Sequence, residues 1–189
     1  MVKVGFIVEG STESIIVNSS LFVAFLQNHG FELVTPVVDA KGGGNLLPKY
    51  VDSFVAELKG AGAEKICILT DLEDEASTEV VRARIAHGEV DVSFIAIKAI
   101  EAWFLADSEA MKVWLNVDEF YEDQPEVTVT KPWDRLKQIA QQLNKPGTGP
   151  SKTIFANKMV TRYGFDVSKA AAHPNCASAR ELVDWFENQ

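Results

Sequence analysis

The chain has 189 residues, 47% of them hydrophobic, two cysteines and a net charge of −9. That is enough apolar material for one substantial core, and no apolar run is long enough to span a bilayer. The opening Met1-Val2-Lys3-Val4-Gly5 lacks the plan of a signal peptide, and Cys67 sits in an apolar run where it reads as a small core residue rather than half a disulfide. A cytoplasmic protein without a membrane partner is the expectation.

In chain order, Val2–Val8 is a short β-branched run that predicts a strand, closed by the turn Gly10-Ser11-Thr12. Ser14–Asn28 repeats apolar residues at helical spacing and stops at His29-Gly30. Glu32–Val38 reads as a second strand, Gly42-Gly43-Gly44 as a loop, and Leu46–Lys59 as a helix. Lys65–Thr70 is a third strand, Ala76–Ala86 a helix, Val92–Ile97 a fourth strand and Ala99–Asp107 a helix. This alternation predicts an α/β fold with a mainly parallel four-stranded sheet flanked by helices. Beyond it Asp118–Thr130 is acidic and irregular, while Trp133–Leu143, Ser151–Tyr163 and Ala177–Phe186 read as helices. The expected organisation is an α/β core over residues 1–110 and a basic, mainly helical extension over 111–189 packed on it.

Charge is unevenly spread. Residues 1–70 carry five Lys/Arg and seven Asp/Glu, residues 71–126 four and fifteen, and residues 131–189 nine and five. An acidic middle followed by a basic end suits a site that holds cations beside a surface that grips phosphates. Uneven solvated faces would give the same count.

The acids have a position in common. Glu9 follows the first strand, Asp71 and Glu73 follow the third, and Glu101 lies just beyond the fourth. Ligands of open α/β sheets bind outside the carboxyl ends of the strands, and a hard cation such as Mg²⁺ takes oxygen ligands. Glu13 lies one helical turn after Glu9 and points back to the same place if its helix starts near Ser11 or Thr12. Asp71 and Glu73 share a face if the strand runs on through both. For Asp74, Glu75 and Asp107, helix capping or surface charge is the stronger reading.

Three motifs then resemble a known family. Val8-Glu9-Gly10-Ser11-Thr12-Glu13 resembles the Glu-Gly-x-x-Glu opening of TOPRIM domains in OLD-type nucleases, and Asp71-Leu72-Glu73 is similar to their Asp-x-Asp with glutamate at the last place. Ile100-Glu101-Ala102-Trp103-Phe104-Leu105-Ala106-Asp107 is similar to a signature of a TOPRIM-related bacterial family of unknown function. The resemblance implies a TOPRIM/Rossmann-like sheet and Mg²⁺- or Mn²⁺-dependent cleavage of phosphodiester bonds in DNA or RNA. It also implies work beside an ATPase partner in phage defence. Glu9, Glu13, Asp71, Glu73 and Glu101 would hold metal, with Glu9 also able to take a proton from the attacking water. In OLD-type nucleases a C-terminal lysine assists the metals; Lys152 and Lys158 are the candidates here. Lys98, Lys131 and Arg135 are the candidates for substrate phosphates. The methylene that separates glutamate from aspartate at position 73 puts two-metal geometry in question. Two alternatives stay open: a non-catalytic TOPRIM-derived subunit that binds nucleic acid or a partner, and a different metal-dependent phosphoryl-transfer enzyme. Oligomeric state stays open as well.

Other features weigh less. Gly147–Thr153 lacks the glycine before lysine that a P-loop needs. His29, His87 and His173 have no zinc-ligand spacing. Trp103, Trp114, Trp133 and Trp185 read first as core or interface residues.

Overall fold

In the computed structural model, which describes residues 1–189, the run Val2–Val8 forms β1, buried from Val4 onward. Ser11–Val17 (α1), Ser20–Asn28 (α2), Phe31–Leu33 (β2) and Val38–Asp39 (β3) follow. A 3-10 turn at Gly43–Leu46 leads into Pro48–Gly60 (α3), Lys65–Asp71 (β4), Thr78–Ile85 (α4) and Val92–Ala96 (β5). The C-terminal part is helical: Glu101–Ala106 (α5), Ser108–Leu115 (α6), Pro132–Gln142 (α7), Lys152–Thr161 (α8), Val167–Ala172 (α9) and Ala177–Glu187 (α10).

The sheet has five strands, all paired in parallel, in the order β2-β1-β4-β5. The fifth, β3, pairs with Ile7 and Val8 of β1, past the Val2–Val4 stretch that pairs with β2. The expected four strands become five because Glu32–Val38 is interrupted at Thr35-Pro36, where proline has no N–H to give to a ladder. The chain crosses to one side of β1 for β2 and β3, then to the other for β4 and β5. The crevice between the carboxyl ends of β1 and β4 is therefore a topological switch point.

Side-chain alternation divides the apolar residues between the two faces. Val4, Phe6, Val8, Cys67, Leu69 and Phe94 enter a 39-residue cluster shared with α1, α2 and the C-terminal helices. Ile7, Ile66, Ile68 and Ile95 enter a 13-residue cluster under α3 and α4. α10 crosses the larger face, where Phe186 stacks on Phe6 at 6.1 Å and meets Phe31 edge-on at 5.0 Å. The C-terminal helices thus share a core with the sheet. Both cysteines are free and buried, and no helix is long and apolar enough to cross a membrane.

Several boundaries differ from the expectation for local reasons. The single helix Ser14–Asn28 is two, because Ser19 takes an extended backbone and its hydroxyl accepts the Phe22 N–H at 3.3 Å, capping α2. Helices α6 and α9 were not anticipated. Asp107 caps α6 by accepting the Glu109 and Ala110 N–H groups, both at 3.1 Å, and its other oxygen accepts the Asp166 N–H at 2.9 Å. Asp118–Thr130 is irregular as expected, its β-branched Val127–Thr130 included; residues 118–131 form a strap between α6 and α7.

Candidate functional site

Four acids are brought to the switch point by the elements that carry them. Glu9 is the first residue after β1, where its N–H donates to the Leu69 carbonyl of β4 at 3.0 Å. Its Oε2 accepts the Thr70 hydroxyl and the Asp71 N–H, the latter at 3.1 Å, so the carboxylate is tied across to the end of β4. Helix α1 starts at Ser11, which puts Glu13 in its first turn with 5% of its surface exposed. Asp71 closes β4, and its Oδ1 accepts the Ile100 N–H at 2.8 Å, drawing in the turn that presents Glu101. Glu101 opens α5 and is 1% exposed.

The glycines fit this arrangement. A Cβ on Gly43 would come within 3.2 Å of Glu9 Oε1, and one on Gly10 within 3.4 Å of Glu13 Oε2. Gly42 has φ +120°, a conformation that suits glycine, and its N–H donates to the Glu9 carbonyl at 2.8 Å. The triple-glycine loop thus packs on a site carboxylate through Gly43.

Burial, and after it the crowding of like charges, sets the electrostatics. Burial pushes the Glu13 carboxyl from 4.5 up to about 7, helped by the charges of Glu9 and Glu101. Burial also drives Asp71 well above the usual carboxylate range, followed by the charges of Glu13, Glu101 and Glu9. One cation answers them: Lys152, at the start of α8, stands 2.9 Å from Glu101 Oε1. Its own burial works against the ammonium, but Glu101, Asp71 and Glu13 outweigh that and hold it more firmly protonated than usual. Glu101 Oε2 has no partner at all, although it is buried. An unpaired buried carboxylate oxygen is costly, and a cation would satisfy it.

Metal-free stability should report this crowding. Above pH 4.5 the unfolded chain releases the Glu13 proton, whereas the folded chain keeps it until about pH 7. The destabilisation from Glu13 is therefore absent below 4.5, grows through that window and is complete above about 7. In EDTA, Glu13→Gln is expected to raise stability by on the order of 2 kcal/mol at pH 8 and by much less at pH 5. Melting curves at the two pH values measure it; an equal effect at both would show that the carboxyl is not so perturbed.

Two clefts meet at Asp71, Glu73 and Asp74. The wider, about 620 Å³, runs past Glu9, Gly43 and Gly44 and carries acids, its one arginine, Arg84, being paired with Glu75. The narrower, about 170 Å³, is lined by Lys98, Lys131, Lys152 and Trp133 as well as Asp71 and Glu101. Lys98 Nζ donates to the Thr128 carbonyl and so holds the strap over this cleft. Lys131 stands 3.6 Å from Asp74.

The remaining candidates lie apart from the four acids. Glu73 is exposed and has φ +51°, so the chain has left the strand and the shared face with Asp71 is lost. Its N–H donates to the Lys98 carbonyl at 2.8 Å, joining two non-glycine residues with positive φ at the rim of the site. Arg135 is held by Glu122 at 2.7 Å. Lys158 is six positions past Lys152 on α8, most of the way round to the opposite face. No three His, Cys, Asp or Glu side chains are already drawn together as a metal-holding group.

Sequence reading missed two contributors. Thr70 orients Glu9, and the alternation along β4 places its hydroxyl on the face opposite Asp71's. Trp133 packs against the core, as expected, and also lines the lysine cleft. Comparison with known protein families, with curated proteins and with solved structures finds no match for this chain.

Proposed function

We propose that this chain is a divalent-metal-dependent nuclease with a TOPRIM-like α/β core, cleaving phosphodiester bonds in DNA or RNA. One observation carries the reading: buried Glu101 Oε2 lacks any partner among three further acids at the switch point of a parallel sheet. Glu9, Glu13, Asp71 and Glu101 would hold Mg²⁺ or Mn²⁺, with Glu73 at the rim. Such a cation, when bound, neutralises phosphoryl charge and makes water a better nucleophile.

The chain's own groups divide the remaining work. Thr70 and the Asp71 N–H fix Glu9 Oε2, leaving Oε1 on the glycine side to take the proton of the attacking water. As the water oxygen bonds to phosphorus, the bond to the leaving sugar oxygen breaks and that oxygen is protonated from solvent. Lys152, half-exposed beside Glu101, offsets charge on the phosphoryl oxygens. A cytoplasmic location, an ATPase partner and a role in phage defence belong to the same proposal, through the resemblance of the three motifs.

A second reading has its own observation. Lys152 already offsets one oxygen of Glu101, so the acids are in part neutralised from within the chain. That favours a non-catalytic subunit that binds nucleic acid or a partner. Incubation with Mn²⁺ and labelled single-stranded DNA, plasmid and tRNA separates the two. Cleavage is expected from the wild type and not from Glu9→Ala or Asp71→Ala. Cleavage surviving both substitutions would remove the acids from the mechanism, and binding without cleavage, indifferent to both, would establish the second reading.

A further inference from the structure

We propose that the lysine cleft is a subsite for one unpaired nucleotide, with its base on Trp133, so that the substrate is single-stranded nucleic acid. This rests on the nuclease reading for what happens to the phosphate, but the recognition it describes is separate. The cleft joins two chemistries within about 170 Å³: the carboxylates of Asp71 and Glu101, and the indole of Trp133 with the ammonium groups of Lys98, Lys131 and Lys152. Carboxylates that hold a cation, ammonium groups for phosphate and an indole for a base are the parts that a nucleotide needs.

The size and the cover decide strandedness. The cavity is smaller than the roughly 300–1,000 Å³ of ordinary small-molecule sites, enough for one ring system. Residues 129–132 of the strap and the start of α7 form part of its wall, and Lys98 ties the strap down through the Thr128 carbonyl. In a duplex, the faces of the bases are covered by their stacked neighbours, so only an unpaired nucleotide can offer one to Trp133. The other cleft is the poorer route for a polyanion, since five acids and one arginine line it, against four acids and three lysines here.

Trp133 is built for such a contact. It is half-buried, and Phe155 packs against its ring at 5.8 Å in a T-shaped arrangement that fixes it. The Lys137 ammonium, from an exposed side chain, stands over the ring at 5.1 Å and covers that face. A surface lysine over an aromatic ring is a weak contact that a stacking base can displace.

Fluorescence anisotropy tests this in Ca²⁺, with labelled 12-residue single strands of DNA and RNA, the matching duplex, and a strand of the same length with no bases. The wild type is expected to bind both single strands at least about tenfold more tightly than the duplex or the baseless strand. Trp133→Ala is expected to lose about tenfold for the single strands and nothing for the baseless strand, with Trp133→Phe recovering most of the loss. Equal wild-type binding of duplex and single strand overturns the subsite, as does an equal loss on the baseless strand or no binding of any probe. The wild-type comparison stands even if the alanine variant does not fold. Base-dependent binding without cleavage in Mn²⁺ would sink the nuclease reading alone; cleavage with duplex bound equally well would sink the subsite alone.

Discussion

Glu101→Gln is expected to abolish the rise in melting temperature that Mg²⁺ or Mn²⁺ gives the wild type and to lower cleavage by at least about a hundredfold. Substitution of mere outer-shell partners costs about 10–100-fold, and Glu101 offers the buried, unpartnered oxygen. A ligand that binds only the folded state must stabilise it, so the melting shift reads metal binding without reference to turnover. Lys152→Ala separates the two partners of the 2.9 Å ion pair. It is expected to leave buried Glu101 without its cation, lower metal-free stability, and so enlarge the stabilisation that metal confers, while cleavage still falls. Opposite effects of the two substitutions on the metal-induced shift would mark Lys152 as a competitor for the same carboxylate. A normal shift in Glu101→Gln would mean that the cation, if one binds, does not use this oxygen.

How far the site could be read from sequence depended on whether each partner was local. The ends of β1 and β4 are marked by β-branched runs that stop at Glu9 and Asp71, and parallel pairing puts those ends side by side. The orientation of Glu13 followed from a helix beginning at Ser11. Period-two alternation failed at Glu73, because it holds only while the backbone stays extended and the chain turns to φ +51° there. Two signals were present and passed over: the Asn18-Ser19-Ser20 run that breaks the first long helix, and Pro36, which breaks the second predicted strand. The meeting of Lys152 with Glu101 spans 51 positions and depends on how α8 packs, for which no local pattern exists. The same holds for Trp133, whose chemistry is plain but whose place beside the acids is set by the strap.

The strap gives the second large effect. Glu126 lies within it and is 4% exposed, yet its carboxylate is fully employed at the start of α10. Its Oε2 accepts the Ala177 N–H at 2.9 Å, and its Oε1 accepts the Ser178 N–H at 3.0 Å and the Ser178 hydroxyl. Ser178 Oγ in turn accepts the Trp103 indole N–H at 2.8 Å and the Ile97 N–H at 3.3 Å, which ties the strap to α5 and the end of β5. An anion at a helix N-terminus is favoured by the free N–H groups and the helix dipole together. Glu126→Ala is expected to leave the buried Ser178 N–H and hydroxyl and the part-buried Ala177 N–H unpaired, at about 1–3 kcal/mol each where no water replaces the carboxylate. A total loss of about 4 kcal/mol would lower the melting temperature by on the order of 10 °C for a chain of this length. Glu126→Gln keeps one accepting oxygen and should lose about half as much. Because Glu126 touches none of the four acids, the metal-induced shift should survive in the alanine variant, the reverse of Glu101→Gln. Calorimetry with and without Mn²⁺ distinguishes them. An unchanged melting temperature would mean that the strap is not anchored through α10, and the lysine cleft would then lack the fixed wall that the single-strand subsite requires.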